Sequence, residues 1–192
     1  MNRNGEMGVG TLIIFIALLL VAAVAAGVLI QTAGSLQQKA LSTGTQATSQ
    51  ISTNALVLEV SATDGSTGQD IGNFSMVMKL APGSDSMKLS DVTLTLNTVD
   101  DTTTYNYTTG AFTVNATAGT GTFAVTYMQN GSNHQDGVLV RGDVILVEFE
   151  SPVSIGEGEY VRINWIPKIG TSTRVIFDTP DVISTQRVYL YP

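Results

Sequence analysis

Residues able to do chemistry are few in this chain. It holds one histidine, His134, and no cysteine. Neither a catalytic triad nor a zinc centre can be assembled from the usual groups, and no disulfide can form. His134 is expected in a loop. The stretch "DGSTGQD", Asp64 to Asp70, has the look of an acidic calcium loop. It lacks the ligand spacing and terminal Glu of an EF-hand. Arg141-Gly142-Asp143 spells an adhesion tripeptide, but a turn before "VILVEFE" explains it better. Glu148 and Glu150 alternate with Val147 and Phe149, which reads as the wet face of a strand rather than an acid–base pair. What remains is the chemistry of side-chain amides. Asn73, Asn106, Asn115 and Asn130 each open an Asn-X-Ser/Thr sequon and are candidates for N-glycosylation. Asn130, in "QNGSNHQDG", is the best placed for access. No catalytic residue, metal ligand or cofactor is expected.

The totals agree with a chain that is not built for catalysis. Of 192 residues, 43% are hydrophobic and only 13% charged, about half the usual charged fraction of a soluble protein. Thr, Ser, Asn, Gln and Gly replace the missing charge. The net charge of −7 argues against nucleic acid as a partner. The length fits one ordinary domain plus an appendage.

The appendage is the segment "MGVGTLIIFIALLLVAAVAAGVLIQTAGSLQQ", Met7 to Gln38, which carries no charged residue. Leu12 to Ile30 is apolar on every helical face, and about 20 such residues span a bilayer core of roughly 30 Å. A secretory signal fits poorly. Its apolar region should be about 7–15 residues and end at a cleavage site, whereas here the following sequence still permits helix, with no proline before Pro82. A plain membrane anchor is the second reading. Arg3 alone lies upstream to set its orientation, and Lys39 is the first cation downstream. The third reading is an oligomerising helix. Small residues at Ala22, Ala23, Ala25, Ala26 and Gly27 include pairs such as Ala23 with Gly27, which let helix backbones approach closely. Gly27 and Gly34 each weaken a lone helix by about 1 kcal/mol, a loss that packing against neighbours could offset. Pattern alone leaves anchor and oligomer open.

At "MGVGTLIIFIALLLVAAVAAGVLIQTAGSLQQKA" the sequence resembles the amino-terminal segment of the archaeal flagellins (archaellins). The likeness runs from Met7 to Ala40 almost without interruption, and the end of the chain, "VRINWIPKIGTSTRVIFDTPDVISTQRVYLYP", is also similar to that family. Archaellins share this one element with type IV pilins: a helix that waits in the membrane and later forms the core of a helical filament. The resemblance implies several things. A short leader, residues 1–5, is removed by a prepilin-type aspartic peptidase, and the matching bond is Gly5–Glu6. This leader is unusually short, and Arg3 is the only basic residue in it. Residues 6–53 form the filament-core helix. Leu12, Ile13, Phe15, Ile16, Leu19, Val24, Gly27, Leu29 and Ile30 are expected to carry polymerisation. The partners are further copies of the chain and an ATPase-driven assembly platform, and the destination is an extracellular filament for swimming. The family's common N-glycosylation adds weight to the sequons. The rival readings are an adhesion pilin and a membrane-anchored surface binding module that never polymerises.

Beyond about Asn54 the pattern changes to short β-type runs. "ALVLEVSA", "FSMVMKLA", "DVTLTLNT", "TFAVTYMQ", "DVILVEFE", "EYVRINWIP", "TRVIFDTP" and "QRVYLYP" are rich in Val, Ile, Thr and aromatics. Turn signals separate them at Pro82-Gly83, Asp100-Asp101, Asn130-Gly131, Gly142-Asp143 and Gly156-Glu157-Gly158. The pattern predicts an antiparallel, immunoglobulin-like β-sandwich over residues 54–192, and the fold class is therefore α+β. The Cys-Trp-Cys signature of true immunoglobulin domains is absent. Trp165 stands alone.

Overall fold

The computed structural model describes residues 3–65, 70–112 and 120–192. One long helix, α1 (Arg3–Ser52), precedes eleven strands, β1 (Ala55–Ala62), β2 (Ile71–Leu80), β3 (Met87–Lys88), β4 (Val92–Asn97), β5 (Thr102–Tyr107), β6 (Thr120–Gln129), β7 (Val138–Leu139), β8 (Val144–Ile155), β9 (Tyr160–Pro167), β10 (Thr173–Asp178) and β11 (Val188–Tyr191). The chain divides into two compact units after Ala47. At 1.5 Å per residue, the 50 residues of α1 amount to roughly 75 Å of rod.

In the β unit, nine strands form one hydrogen-bonded series, β10-β9-β4-β5-β6-β8-β2-β1-β11, and β3 with β7 makes a separate two-stranded ribbon. Every pairing in the series is antiparallel except that of β5 with β6. The expected sandwich is therefore antiparallel with one parallel exception. Strand β6 serves two partners. Its first residues, Thr120–Phe123, pair with β5, and Ala124–Gln129 pair with β8. The two halves of the series meet through their inner faces. The Tyr105 ring of β5 lies 5.4 Å from Phe149 of β8, and Phe123 of β6 lies 5.5 Å from Trp165 of β9. Phe149 in turn stacks on Phe74 at 5.5 Å. All five rings are buried, and offset or tilted aromatic pairs of this kind add about 0.5–1.5 kcal/mol each beyond their area.

Alternation makes this core. β4 (VTLTLN) and most of β9 (YVRINWIP) switch strictly between buried and half-buried or exposed positions, because successive side chains leave a strand on opposite faces. Trp165, the lone tryptophan, is fully buried, and its indole N–H donates to Met87 Sδ at 3.4 Å. Burial pushes the Tyr105 hydroxyl far above its ordinary range, and that hydroxyl donates to the Glu150 carbonyl. Gly121 is glycine because of that ring: a Cβ there would overlap Tyr105 Cδ1 and Cε1 at 2.5 Å. Strand β8 runs on to Ile155, past Pro152. Its register with β2 shifts between the Asn73–Glu150 and Ile71–Ile155 pairs, and a proline, lacking an N–H, is accommodated in such an irregularity.

The last turn of α1, Thr48–Ser52, belongs to the β unit. There the buried Ser84 hydroxyl accepts the Asn54 N–H at 3.0 Å and lies 3.2 and 3.0 Å from the Ser52 and Asn54 carbonyls. Ser49 donates to Asp85 at 2.9 Å, and Thr171 N–H donates to the Thr53 carbonyl at 2.9 Å. Gly170, at φ 120°, lets that segment approach, since a Cβ there would lie 2.6 Å from Thr53 O.

Candidate polymerisation surface

Helix α1 has the side chains of a protein core and the exposure of a surface. From Met7 to Thr48 every residue is exposed. Each expected polymerisation residue with a large side chain is open: Leu12, Ile13, Phe15, Ile16, Leu19, Val24, Leu29 and Ile30 are 49–73% accessible. At Gly27 a Cβ would meet nothing within 4 Å, and the same holds for Gly8, Gly10 and Gly34. These glycines are therefore unexplained by packing inside the chain, and a residue that weakens a helix without local compensation needs another reason. The span Met7–Ser52 has a mean hydropathy of 3.2 in its most apolar window, long and apolar enough to cross a membrane.

Four hydroxyls in this rod are bonded to its own backbone. Thr11 donates to the Gly8 carbonyl, Thr32 to the Val28 and Leu29 carbonyls, Ser35 to Thr32 and Thr45 to Ser42, all at 2.9–3.0 Å. Such back-bonding satisfies these four donors within their own helix. From Leu12 to Ile30, where no side chain is polar, the surface can exchange lipid for protein without stranding a polar group.

Gly5 and Glu6, on either side of the expected cleavage bond, are both within the helical backbone of α1. Of the sequons, Asn106 is exposed on β5 and Asn130 is exposed in the loop after β6. Asn73 is different. It sits inside β2, paired with Glu150, and its amide oxygen is buried without a hydrogen-bond partner. Asn115 lies outside the described residues.

The other polar candidates have structural occupations. Asp64 accepts the Gly72 and Asn73 N–H groups at 2.8 and 2.9 Å, holding the start of β2. Residues 66–69 of the "DGSTGQD" stretch lie outside the described residues. Arg141-Gly142-Asp143 is a turn, with Gly142 at φ 92° and the Asp143 carboxylate fully buried. Glu148 and Glu150 are half-buried on the face of β8 opposite Val147 and Phe149. His134 is in the loop expected for it, and there the structure adds what the sequence did not signal. Its Nδ1 faces Asp143 Oδ2 at 3.4 Å, its Nε2 faces Asp136 Oδ1 at 3.2 Å, and its ring packs edge-on to Tyr127 at 4.4 Å. Among the described residues no three His, Asp or Glu side chains gather as a metal site.

Comparison with known proteins follows the same division. A model of the archaeal-type flagellin family matches residues 5–177. Flagellin B1 of Natrialba magadii is 49% identical over 92 residues, 47% of this chain and 46% of that protein. The aligned region is thus less than half the length of that relative. Flagellin B3 of Halobacterium salinarum is 33% identical over 183 residues, 94% of this chain and 91% of that one. Among solved structures, the archaeal flagellum of Methanospirillum hungatei strain JF1 covers 92% of this chain and 98% of its own, with TM-score 0.68 and 19% identity. The crystal structure of archaeal flagellin FlaB1 from Methanocaldococcus jannaschii covers 72% of this chain and 96% of its own, with TM-score 0.62 and 16% identity. Both share the fold over the length they cover, which for the Methanospirillum hungatei structure is nearly the whole chain. With the family match extending from the apolar helix almost to the end of β10, the chain belongs to the archaeal-type flagellins.

Proposed function

We propose that this chain is a structural subunit of the archaellum and polymerises through α1 into an extracellular filament used for swimming. One observation carries the reading: the rod's side chains from Leu12 to Ile30 are of the core type, and every one of them is exposed. In water that exposure would be disfavoured by about 1.5–3 kcal/mol for each large side chain. The rod is therefore held first in lipid and then among copies of itself. Lipid and helix bundle are about equally apolar, so close packing, and not the hydrophobic effect, must favour the filament. Assembly accordingly draws on an ATPase-driven platform, and a finished filament resists dissociation because its exit leads into water. Because the contact between copies does not close on itself, the product is a helical polymer. A prepilin-type peptidase cuts Gly5–Glu6 before incorporation. Sugars, where attached, sit on Asn106 and Asn130, the two exposed sequons among the described residues.

Amino-terminal sequencing of filaments sheared from cells, with negative-stain microscopy of the same material, tests the reading. The expected result is filaments containing this chain and beginning at Glu6. Monomers still held in the bilayer through an intact Met1 end would overturn it. Deleting the gene should abolish swimming; loss of attachment with swimming intact would point to an adhesion pilin instead.

A further inference from the structure

Asn130-Gly131 is one of two Asn-Gly dipeptides in the chain, the other being Asn4-Gly5 beside the expected leader cleavage bond, and Asn-Gly is the pair most prone to lose its side-chain amide. The Gly131 backbone nitrogen attacks Asn130 Cγ, the bond from Cγ to the side-chain nitrogen breaks, and ammonia leaves. The amide proton goes to solvent base. Water then opens the resulting succinimide to aspartate or isoaspartate. Glycine at the second position makes this fast because no side chain hinders the approach of its nitrogen.

Three contacts hold Gly131 in the folded chain. Its N–H donates to Asp143 Oδ1 at 2.6 Å. Its carbonyl accepts the His134 N–H at 3.3 Å. Its Cα lies against the backbone of Arg141 and Gly142, so that a Cβ would overlap the Arg141 carbonyl. Only glycine fits here, and the packing requirement is what creates the labile pair. The carboxylate that receives the N–H is itself fixed. Asp143 is fully buried, its Oδ2 also accepts the Val140 N–H at 3.2 Å, and its own N–H donates to the Val140 carbonyl at 3.1 Å.

We infer that Asn130 is a latent deamidation site that Asp143 holds shut. A carboxylate hydrogen-bonded to an amide N–H opposes loss of that proton, and the amide nitrogen must lose it to become the nucleophile. The same bond keeps the Gly131 peptide from turning toward Asn130 Cγ. The consequence falls on the sequon, because an aspartate at position 130 can no longer carry an N-linked sugar.

The test uses the unglycosylated full chain in detergent, incubated in warm, mildly alkaline buffer, with peptide mapping for amide-to-acid conversion at Asn130. The wild type should convert far more slowly folded than denatured in urea. Asp143→Asn keeps the shape but removes the charge. It should speed conversion roughly ten- to a hundredfold, the equivalent of losing one hydrogen bond to a charged group. Hydrogen exchange across Val144–Phe149 reports whether the variant is folded. A folded Asp143→Asn chain that converts no faster than wild type overturns the inference. Should the variant fail to fold, wild-type exchange at the Gly131 amide decides. Protection there supports the latch, and exchange at the free-peptide rate overturns it.

Discussion

The two units of this chain use apolar residues in opposite ways. In the β unit, Phe74, Phe149, Phe123 and Trp165 are at most 1% accessible and pack on one another. In α1, Phe15 and Ile16 are 61% and 49% accessible, and Ile30 is 73% accessible. Both regions are rich in large apolar residues, and periodicity decides where those residues go. The strands alternate, so each has a wet face and a dry face. The helix has no polar stripe and therefore no face to turn toward water. A segment with a dry face finds its partners within the chain, and a segment that is dry all round must find them outside it.

That contrast can be broken from either side. Gly27→Leu adds a large side chain where nothing within the chain would object. If close approach between copies is what Gly27 serves, filaments should vanish from sheared material while the β unit keeps its melting temperature; normal filaments from this variant would refute the close-packing argument. Phe149→Ala strikes the other side. It empties the space between Phe74 and Tyr105 and should destabilise the β unit by about 3–5 kcal/mol. Differential scanning calorimetry would register this as a fall on the order of 10 °C, with the helicity of α1 in detergent unchanged.

Two smaller perturbations sharpen the comparison. Ser84→Ala removes the acceptor for the Asn54 N–H and should reduce the stability of the β unit by about 1–2 kcal/mol. Faster amide exchange at Asn54 is the direct readout. Tyr105→Phe tests burial through pH. Desolvation holds the folded Tyr105 hydroxyl protonated well above its unfolded range, with the nearby Asp101 and Glu150 charges adding to the shift. Below about pH 10 the group is neutral in both states and contributes no pH dependence. As pH rises beyond that value the unfolded chain releases its proton first, and wild-type stability should fall by up to about 1.4 kcal/mol per pH unit. Urea titrations at successive alkaline pH values should show the phenylalanine variant with a shallower fall.

Much of the secondary structure was readable because it is local. "ALVLEVSA" coincides with β1, and the runs containing β4, β9 and β10 end within about two residues of the observed strands. Strand β5, Thr102–Tyr107, was not anticipated. Its sequence TTTYNY buries only Thr103 and Tyr105, too little to stand out from the Thr-rich background. Its parallel pairing with β6 was equally hidden, since partner choice in a sheet is a long-range matter. The run "DVILVEFE" stops at Glu150, short of the end of β8 at Ile155, and the irregularity that accommodates Pro152 is visible only with β2 in place. The helix was legible from Met7 onward because an uncharged apolar stretch of that length has few alternatives. The latch around Asp143 was not, because its members, Gly131, His134 and Val140, converge only when the loop closes.

Strand β6 has a mechanical consequence. One continuous piece of backbone is zipped to β5 along its first four residues and to β8 along the rest. A load that pulls one layer of the domain relative to the other acts on this strand. The layers can part here only if one of the two ladders along β6 opens. The ten residues Thr120–Gln129 are thus a backbone tie between the two layers.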